Sequence, residues 1–239
     1  MKILAVGDIV SQPGLDTVNS LLRNIRKQYG IDFVIANGEN ASGVGITPKQ
    51  AEDIFASGAD VITLGNHVFH KRQIVPYLDD CAYILRPANQ APQQPGRGYG
   101  IYDCLGYRLL VINLIGRCEM QFGPDNPFLL ADRILREQEG KYDIAVCEFH
   151  GSATSEKIAM GFYLDGRCSA VYGTHTHVQT ADARVNPQGN RIYYRFGHDR
   201  SSVVGFGNRT GTVHCHVPRR PDRVFSTGSG RNCPHGCSF

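Results

Sequence analysis

MKILAVGD, residues 1–8, is an apolar run that ends on an acidic side chain, Asp8. A short run of this kind is typical of a buried strand, and a loop and a helical stretch at residues 15–28 follow it. The same alternation continues along the chain, with further strand-like runs at residues 33–36, 61–64, 109–114, 144–149 and 170–172. Between them, Thr47 and Pro48 mark a helix start, because threonine caps a helix and proline fits its first position. Another helix is predicted at about 128–139. Strands that alternate with helices predict an α/β architecture.

Most of the predicted strands end on side chains that can bind a metal ion. The candidate donors are Asp8, Glu39, Asn40, Asn66, His67, His150, His175 and His177. Ligand sites of α/β sheets gather outside the carboxyl ends of the strands, so these donors are expected to converge. Imidazole, carboxylate and amide oxygen ligands together suit iron, manganese or zinc. The donors outnumber the needs of one tetrahedral ion, so the sequence predicts two ions about 3.5–4 Å apart that clamp a phosphate.

Each of these residues also has a purely structural interpretation. An acidic residue after a first strand is often only a turn or a cap, and Gly65-Asn66-His67 taken alone is most simply a loop. His175-Thr176-His177 is more informative, because an i, i+2 pair in an extended segment turns both rings to one side. Their joint occurrence at successive strand ends is what favours a metal site.

The motifs that carry these donors resemble those of the calcineurin-like metallophosphoesterases. They are Gly7-Asp8, Gly38-Glu39-Asn40, Gly65-Asn66-His67, residues 150–157 and Gly173-Thr174-His175-Thr176-His177-Val178. More closely, the chain resembles the YmdB-type subfamily of 2′,3′-cyclic-nucleotide 2′-phosphodiesterases, which Arg86-Pro87-Ala88-Asn89 and Asn113-Leu114-Ile115-Gly116-Arg117 also match. One departure is Gly151-Ser152, where the subfamily usually has Ala-Glu. The resemblance runs from residue 1 to about Tyr194.

The resemblance implies a fold and a set of roles. It implies a four-layer sandwich, in which two packed β-sheets are flanked by helices, with iron or manganese bound. One ion would lie among Asp8, Glu39, Asn40 and His177, and the other among Asn66, His150, His175 and the same Glu39, which bridges them. His67 would protonate the leaving oxygen while a metal-bound hydroxide attacks phosphorus. The substrate would be a 2′,3′-cyclic nucleotide or a similar small phosphodiester.

Charge and composition limit the partners and the location. Residues 1–194 carry a net charge of −2, which gives no electrostatic reason to expect binding to long nucleic acids. No apolar run approaches the roughly 20 residues that a membrane-spanning helix needs, and the N-terminus lacks the features of a secretory signal. We therefore expect a soluble cytoplasmic protein with no membrane partner. The chain has eight cysteines, of which those at 81, 104, 118, 147 and 168 are spread through regular elements, and reduced, mostly buried thiols are expected. Whether the chain forms homo-oligomers stays open.

The chain divides into a metallophosphoesterase domain, residues 1–194, and an aberrant tail, residues 195–239. The tail contains seven Arg and no Leu, Ile, Ala, Lys or Glu. One choice of codons for residues 195–201, read in a shifted frame that borrows two bases from the codon of Tyr194, encodes Thr-Asp-Leu-Gly-Met-Thr-Gly-Pro, which matches the motif that the subfamily has there. We therefore predict a frameshift near codon 194, a largely disordered tail and an incomplete C-terminal part of the fold.

Three alternatives remain open at this stage. The chain could be a truncated, inactive relative that only binds metal or nucleotide, or it could hydrolyse phosphomonoesters instead. In the tail, His214-Cys215-His216 and Cys233-Pro234-His235-Gly236-Cys237 resemble zinc ligands, although an out-of-frame reading explains them more simply.

Overall fold

A computed structural model describes residues 1–120, 123–178, 180, 183–188, 191–193 and 213–216. The first half is built from strand–helix units. Its elements are β1 (Lys2–Val6), α1 (Ser11–Tyr29), β2 (Phe33–Asn37), α2 (Pro48–Ala56), β3 (Val61–Thr63), α3 (Ile74–Asp80) and β4 (Ile84–Leu85). The second half begins with a hairpin and continues with strands and helices. Its elements are β5 (Tyr99–Cys104), β6 (Tyr107–Ile115), α4 (Pro127–Glu137), β7 (Ile144–His150), α5 (Thr154–Tyr163), β8 (Ala170–Thr174), β9 (Arg184–Val185), β10 (Arg191–Tyr193) and β11 (Val213–His216).

These strands form two sheets within the described residues. The first has the order β11-β1-β2-β3-β4, and the second has the order β5-β6-β7-β8-β10-β9. The pairs β1–β2, β2–β3 and β3–β4 are parallel, as are β6–β7, β7–β8 and β8–β10. The carboxyl ends of the central strands therefore lie at one edge of each sheet, which is where the candidate donors follow them.

The packing of the two sheets gives the four layers. Ile3 and Ile35 of the first sheet pack against Val111 and Val146 of the second in one buried cluster. The alternate residues of the same strands, such as Leu4 and Val34, face the other way and pack against α1, α2 and α3. Because both faces of the central strands are covered, those strands are apolar along most of their length. The predicted sandwich of two sheets flanked by helices is confirmed.

Two helix starts illustrate what the sequence could and could not predict. Thr47 caps α2 as predicted, and its hydroxyl accepts from the backbone N–H of Gln50 in a capping box. Helix α1, in contrast, begins at Ser11 and not at residue 15, so the prediction of a loop there was wrong. Pro13 lies within the first turn, where the backbone N–H that proline lacks would have no helical partner in any case.

The state of the cysteines and the structure of the tail were also predicted from the sequence. The free cysteines are Cys81, Cys104, Cys118, Cys147 and Cys168, of which Cys104, Cys147 and Cys168 are buried and Cys118 is exposed. Of residues 195–239, the structure describes only Val213–His216, which pair antiparallel with β1. These four residues thus form a strand, which differs from the disorder expected for the tail. For the other tail residues, the prediction of disorder lies outside the described residues. None of the described helices has the length and apolar character needed to cross a membrane.

Candidate metal centre

The two sheets bring the predicted donors together at their carboxyl edges. Asp8 follows β1, Glu39 and Asn40 follow β2, and Asn66 and His67 follow β3, all in the first sheet. In the second sheet, His150 is the last residue of β7, and His175 and His177 follow β8. The site therefore lies where the two sheets meet, and neither sheet forms it alone.

One group of candidate ligands surrounds His150, which is fully buried. Its Nε2 atom lies 3.2 Å from Oε1 of Glu39, 3.1 Å from Nδ1 of His175 and 3.0 Å from Oδ1 of Asn66. One ligand atom from each of Glu39, His150 and His175 falls within 4.8 Å of the others. An imidazole nitrogen that faces two acceptors and a second imidazole at these distances has the surroundings of a metal ligand.

A second group shares Glu39 with the first. One ligand atom from each of Asp8, Glu39 and His177 again falls within 4.8 Å of the others, and Nε2 of His177 lies 3.5 Å from Oδ2 of Asp8. Glu39 belongs to both groups, which is the position that a bridging carboxylate would occupy.

Buried polar atoms in this region fit a bound cation. Oδ1 of Asp8 and Oδ1 of Asn40 are both buried, and neither accepts a hydrogen bond within the described part of the chain. Asn40 is held by its other side-chain atom, since Nδ2 donates to the Gly43 carbonyl at 3.0 Å. An oxygen that is buried without a donor is costly, and a cation is a partner that would offset this cost. Together with three imidazoles, these oxygens form a donor set that suits iron, manganese or zinc.

The backbone around the two histidines after β8 is in an unusual conformation. His175 has φ of 91° and His177 has φ of 52°, both in the left-handed region that non-glycine residues seldom adopt. The His175 N–H donates to Oδ2 of Asp8 at 2.9 Å, which holds the segment against the first sheet. Such strain persists only where the surroundings enforce it, and it is concentrated at functional sites.

His67 lies at the rim of this centre. Its backbone N–H donates to Oε2 of Glu39 at 3.3 Å, and its ring is partly exposed. Nδ2 of Asn66 approaches the ring at 3.2 Å, and the ring of His70 meets it edge-on with the centroids 4.7 Å apart. His67 is therefore beside the ligand groups, although no atom of it falls within either of them.

The charges of the site are shifted by burial and by one another. Burial raises the pKa of Asp8 to about 6. Burial also opposes ionisation of Glu39, but the neighbouring His150 outweighs it and lowers the pKa of Glu39 to about 2. Burial lowers the pKa of His175 to about 4, which keeps that ring neutral, the form that binds a metal.

Gly65 makes the close approach of the ligands feasible. A Cβ atom at this position would lie 2.1 Å from Oε2 of Glu39 and 2.3 Å from Nε2 of His150. Any side chain here would thus overlap a ligand from each sheet. The glycine of Gly65-Asn66-His67 is required by this packing and not by a left-handed backbone, because Gly65 is not among the glycines with positive φ.

Behind the centre lies a buried hydrogen-bond network that was not predicted from the sequence. Oγ1 of Thr174 lies 2.9 Å from Nδ1 of His150 and donates to Oε1 of Glu148 at 2.8 Å. Asn37 and Tyr172 also donate to Glu148, at 2.6 and 2.8 Å. The network fixes the His150 ring with Nε2 directed at the ligand group. One feature of the sequence pointed to this network: the carboxylate of Glu148 lies two residues before His150 in an otherwise apolar strand.

Two further sequence motifs hold loops in place and do not provide metal ligands. Glu156 accepts from the backbone N–H groups of Arg117 and Cys118 and so anchors the loop after β6. Asn89 donates to the carbonyls of Ile115 and Asp125 and accepts from the Ile115 N–H.

Comparisons with known proteins agree on one family. The family model described as YmdB-like protein matches residues 4–230, and so it extends past Tyr194, where the resemblance was expected to end. A 2′,3′-cyclic-nucleotide 2′-phosphodiesterase of Bacillus subtilis is 46% identical over 192 residues, which cover 79% of this chain and 72% of the relative. Among solved structures, a hypothetical protein of Thermus thermophilus aligns with a TM-score of 0.77 and 40% identity, covering 83% of this chain and 77% of that one. A phosphatase of Mycoplasma pneumoniae aligns with a TM-score of 0.78 and 27% identity, covering 83% and 72%.

Proposed function

The chain belongs to the YmdB-like protein family, and on that premise we propose that it is a metal-dependent phosphodiesterase acting on 2′,3′-cyclic nucleotides or similar small phosphodiesters. The relative from Bacillus subtilis carries the name of that activity. The observation that carries the proposal is that two ligand groups share Glu39 at the junction of the sheets. Two adjacent cation sites with a common carboxylate are the arrangement that phosphoryl-transfer sites use to clamp a phosphate.

We assign the ligands that the resemblance implies, and the two ligand groups that share Glu39 support this assignment. Asp8, Glu39, Asn40 and His177 would hold one ion, and Glu39, Asn66, His150 and His175 would hold the other. The donor set suits iron or manganese, with zinc as the next choice. When bound, such ions polarise a phosphate and lower the pKa of coordinated water. The chain's own contribution is to fix the ligands, through the network behind His150 and the carboxylate that both groups share.

His67 is proposed as the general acid of the reaction. Its backbone is tied to Glu39, so the ring is held at the rim of the centre, where the leaving oxygen of the substrate would lie. An imidazolium there could donate its proton to the ribose oxygen as the bond to phosphorus breaks. The pKa of histidine is ordinarily close to neutrality, and burial lowers that of His67, which makes its protonated ring a readier proton donor.

The test is a comparison of turnover and metal content in His67→Ala. Because His67 lies outside both ligand groups, metal content should be unchanged, while turnover of a 2′,3′-cyclic nucleotide falls by about 10²–10⁴-fold. Arg72→Ala, an exposed change in the same segment, is the control and should match the wild type. An unchanged rate in His67→Ala would refute its role.

The same assays separate the remaining alternatives. Wild-type protein that binds metal but turns over neither a cyclic nucleotide nor a phosphomonoester would be the inactive relative. Preferential hydrolysis of the phosphomonoester would replace the proposed reaction with that of a phosphatase. Either result would overturn the phosphodiesterase proposal.

We also propose that the domain ends near residue 194 because the reading frame shifts there. The support is the composition of residues 195–239 and the family motif that one choice of codons yields in a shifted frame. The pairing of β11 with β1 is compatible with a shifted frame, because strand pairing uses backbone groups that any sequence supplies. Sequencing codons 185–205 from the source DNA tests it. A corrected base that restores Thr-Asp-x-Gly-Met-Thr-Gly-Pro supports the shift, whereas an unchanged sequence shows that the gene encodes this tail.

The proposed location is the cytoplasm. Cys81, Cys104, Cys118, Cys147 and Cys168 are free, as is usual where thiols are kept reduced. Fractionation of the source cells, with the protein detected by antibody, would overturn this if the protein appeared outside the cytoplasm.

A further inference from the structure

A cavity of about 540 Å³ opens beside the candidate metal centre. Asn66 lines it, and the same residue contacts His150 in the first ligand group, so the cavity and the centre adjoin. We call it the side cavity; its walls include Asn66, Phe69, Gln90, Pro92, Gln94 and Asp125. Its volume is in the range of sites that bind small organic molecules, and it is larger than a phosphate group needs.

Gln90 and Gln94, which line the side cavity, each have a buried amide oxygen. Oε1 of Gln90 and Oε1 of Gln94 accept no hydrogen bond from any residue in the described part of the chain. Most buried side-chain oxygens in proteins have a donor, so a pair without one on a single cavity wall points to a donor that arrives with a ligand. Both side chains are only partly exposed.

The wall that carries these glutamines is held in place by a buried arginine. Arg86 is 4% exposed, and its guanidinium donates to the carbonyls of Pro87, Gln94 and Pro95 at 2.9, 3.2 and 3.0 Å. Asn89 joins the same wall to Ile115 on the neighbouring strand. This accounts for Arg86-Pro87-Ala88-Asn89 in the sequence, since its polar members build the wall. A wall fixed before binding reduces the entropy cost of taking up a ligand.

We propose that the side cavity binds the nucleobase of the substrate and that Gln90 and Gln94 bond to the edge of the base. The inference rests on the proposed function, which supplies a substrate with a phosphate and a base. Glutamine amides offer both a donor and an acceptor, which is the pattern along the edge of a base. Phe69 adds aromatic surface of the kind on which bases pack. With the phosphate at the centre, the base of the same molecule would extend past Asn66 into the cavity.

The test compares a substrate that has a base with one that lacks it. The metal-loaded protein is assayed with adenosine 2′,3′-cyclic phosphate and with glycerol 1,2-cyclic phosphate, which has the same cyclic phosphodiester and no base. Gln90→Leu and Gln94→Leu should each raise KM for the nucleotide about tenfold and leave KM for the glycerol ester within twofold. Gln93→Leu is the matched control, because Gln93 is an exposed glutamine of the same loop that does not line the cavity.

A second measurement keeps this inference separate from the proposed function. Binding of adenosine, which has no phosphate, is measured by calorimetry on wild type and on Gln94→Leu. If adenosine binds about tenfold more weakly to the variant, the result supports the side cavity as the base-binding site. This holds even if neither ester is hydrolysed, in which case only the proposed function fails. Hydrolysis of both esters with KM values that the two variants leave unchanged would overturn the cavity assignment and leave the proposed function standing.

Discussion

Replacing Gly65 by alanine should separate the ligands of the two sheets without straining the backbone. The added Cβ would lie 2.1 Å from Oε2 of Glu39 and 2.3 Å from Nε2 of His150, where real Cβ contacts essentially never fall below 3.0 Å. To restore 3.0 Å, the carboxylate oxygen would have to move by 0.9 Å and the ring nitrogen by 0.7 Å. Gly65 has no positive φ, so alanine fits its backbone and the effect is steric.

These displacements are large compared with the tolerance of a metal site. Ligand distances in such sites are held to about 0.2 Å, and changes in the surrounding groups alone weaken metal binding by about 10–100-fold. Gly65→Ala moves two ligands directly, one of them the carboxylate shared by both groups, so the upper end of that range, about 100-fold, is expected. Overpacking should also lower the free energy of unfolding by about 1–3 kcal/mol.

The assay is manganese bound per chain, measured by mass spectrometry after dialysis at a series of free Mn²⁺ concentrations. The matched control is Gly38→Ala at the neighbouring strand end. Its Cβ would meet the aliphatic carbons of Ile46 at 2.9 Å and Ile62 at 3.1 Å, so it should cost stability but change manganese affinity by less than threefold. Wild-type manganese affinity in Gly65→Ala would refute the argument, and so would equal losses in the two variants.

Three further outcomes are expected from other parts of the structure. Thr174→Val removes the hydroxyl between His150 and Glu148 and should weaken manganese binding by about 10–100-fold, measured in the same dialysis series; unchanged affinity would show that the network does not orient the ring. Asn113→Leu removes two buried hydrogen bonds, which the Asn113 amide donates to the carbonyls of Leu64 and Leu85 at 2.7 and 3.0 Å. It should lower the free energy of unfolding, measured by urea denaturation, by about 2–4 kcal/mol, and a loss below about 1 kcal/mol would contradict this. A short iodoacetamide pulse on the native protein should alkylate Cys118 and spare the buried cysteines until urea is added, as read by peptide mass spectrometry, and equal labelling of both classes would contradict the fold.

The order of the elements and the position of the donors could be predicted because both leave local signals. A buried strand is a short apolar run, and the residue after it stands at the carboxyl edge of the sheet. Asp8, Glu39 and His150 could therefore be assigned to the carboxyl ends of strands without a structure. The start of α1 at Ser11 could not be predicted, because a proline and a glycine in the first turn give the same signal as a loop.

The assignment of strands to sheets lay beyond the sequence for a different reason. Strands β2 and β7 are buried on both faces, so neither shows the alternation that would mark a solvent face and a core face. Their sequences therefore do not say which strands share a sheet or which faces meet. The hydrogen bond from Asn37 to Glu148 crosses from one sheet to the other and links residues 111 positions apart, a pairing that no local pattern contains.

This arrangement makes the centre dependent on the contact between the sheets. Asp8 and Glu39 come from the first sheet and His150 and His175 from the second, and contacts such as the 3.2 Å between Glu39 and His150 cross the junction. A slip of one sheet against the other would pull each ligand group apart before it disrupted either sheet. Asn113 and Glu148 form hydrogen bonds across the junction and therefore stabilise the site as well as the core. By the same reasoning, an ion held by either group would bind only the correctly packed sheets, so it would stabilise their packing by an amount that grows with the logarithm of its affinity.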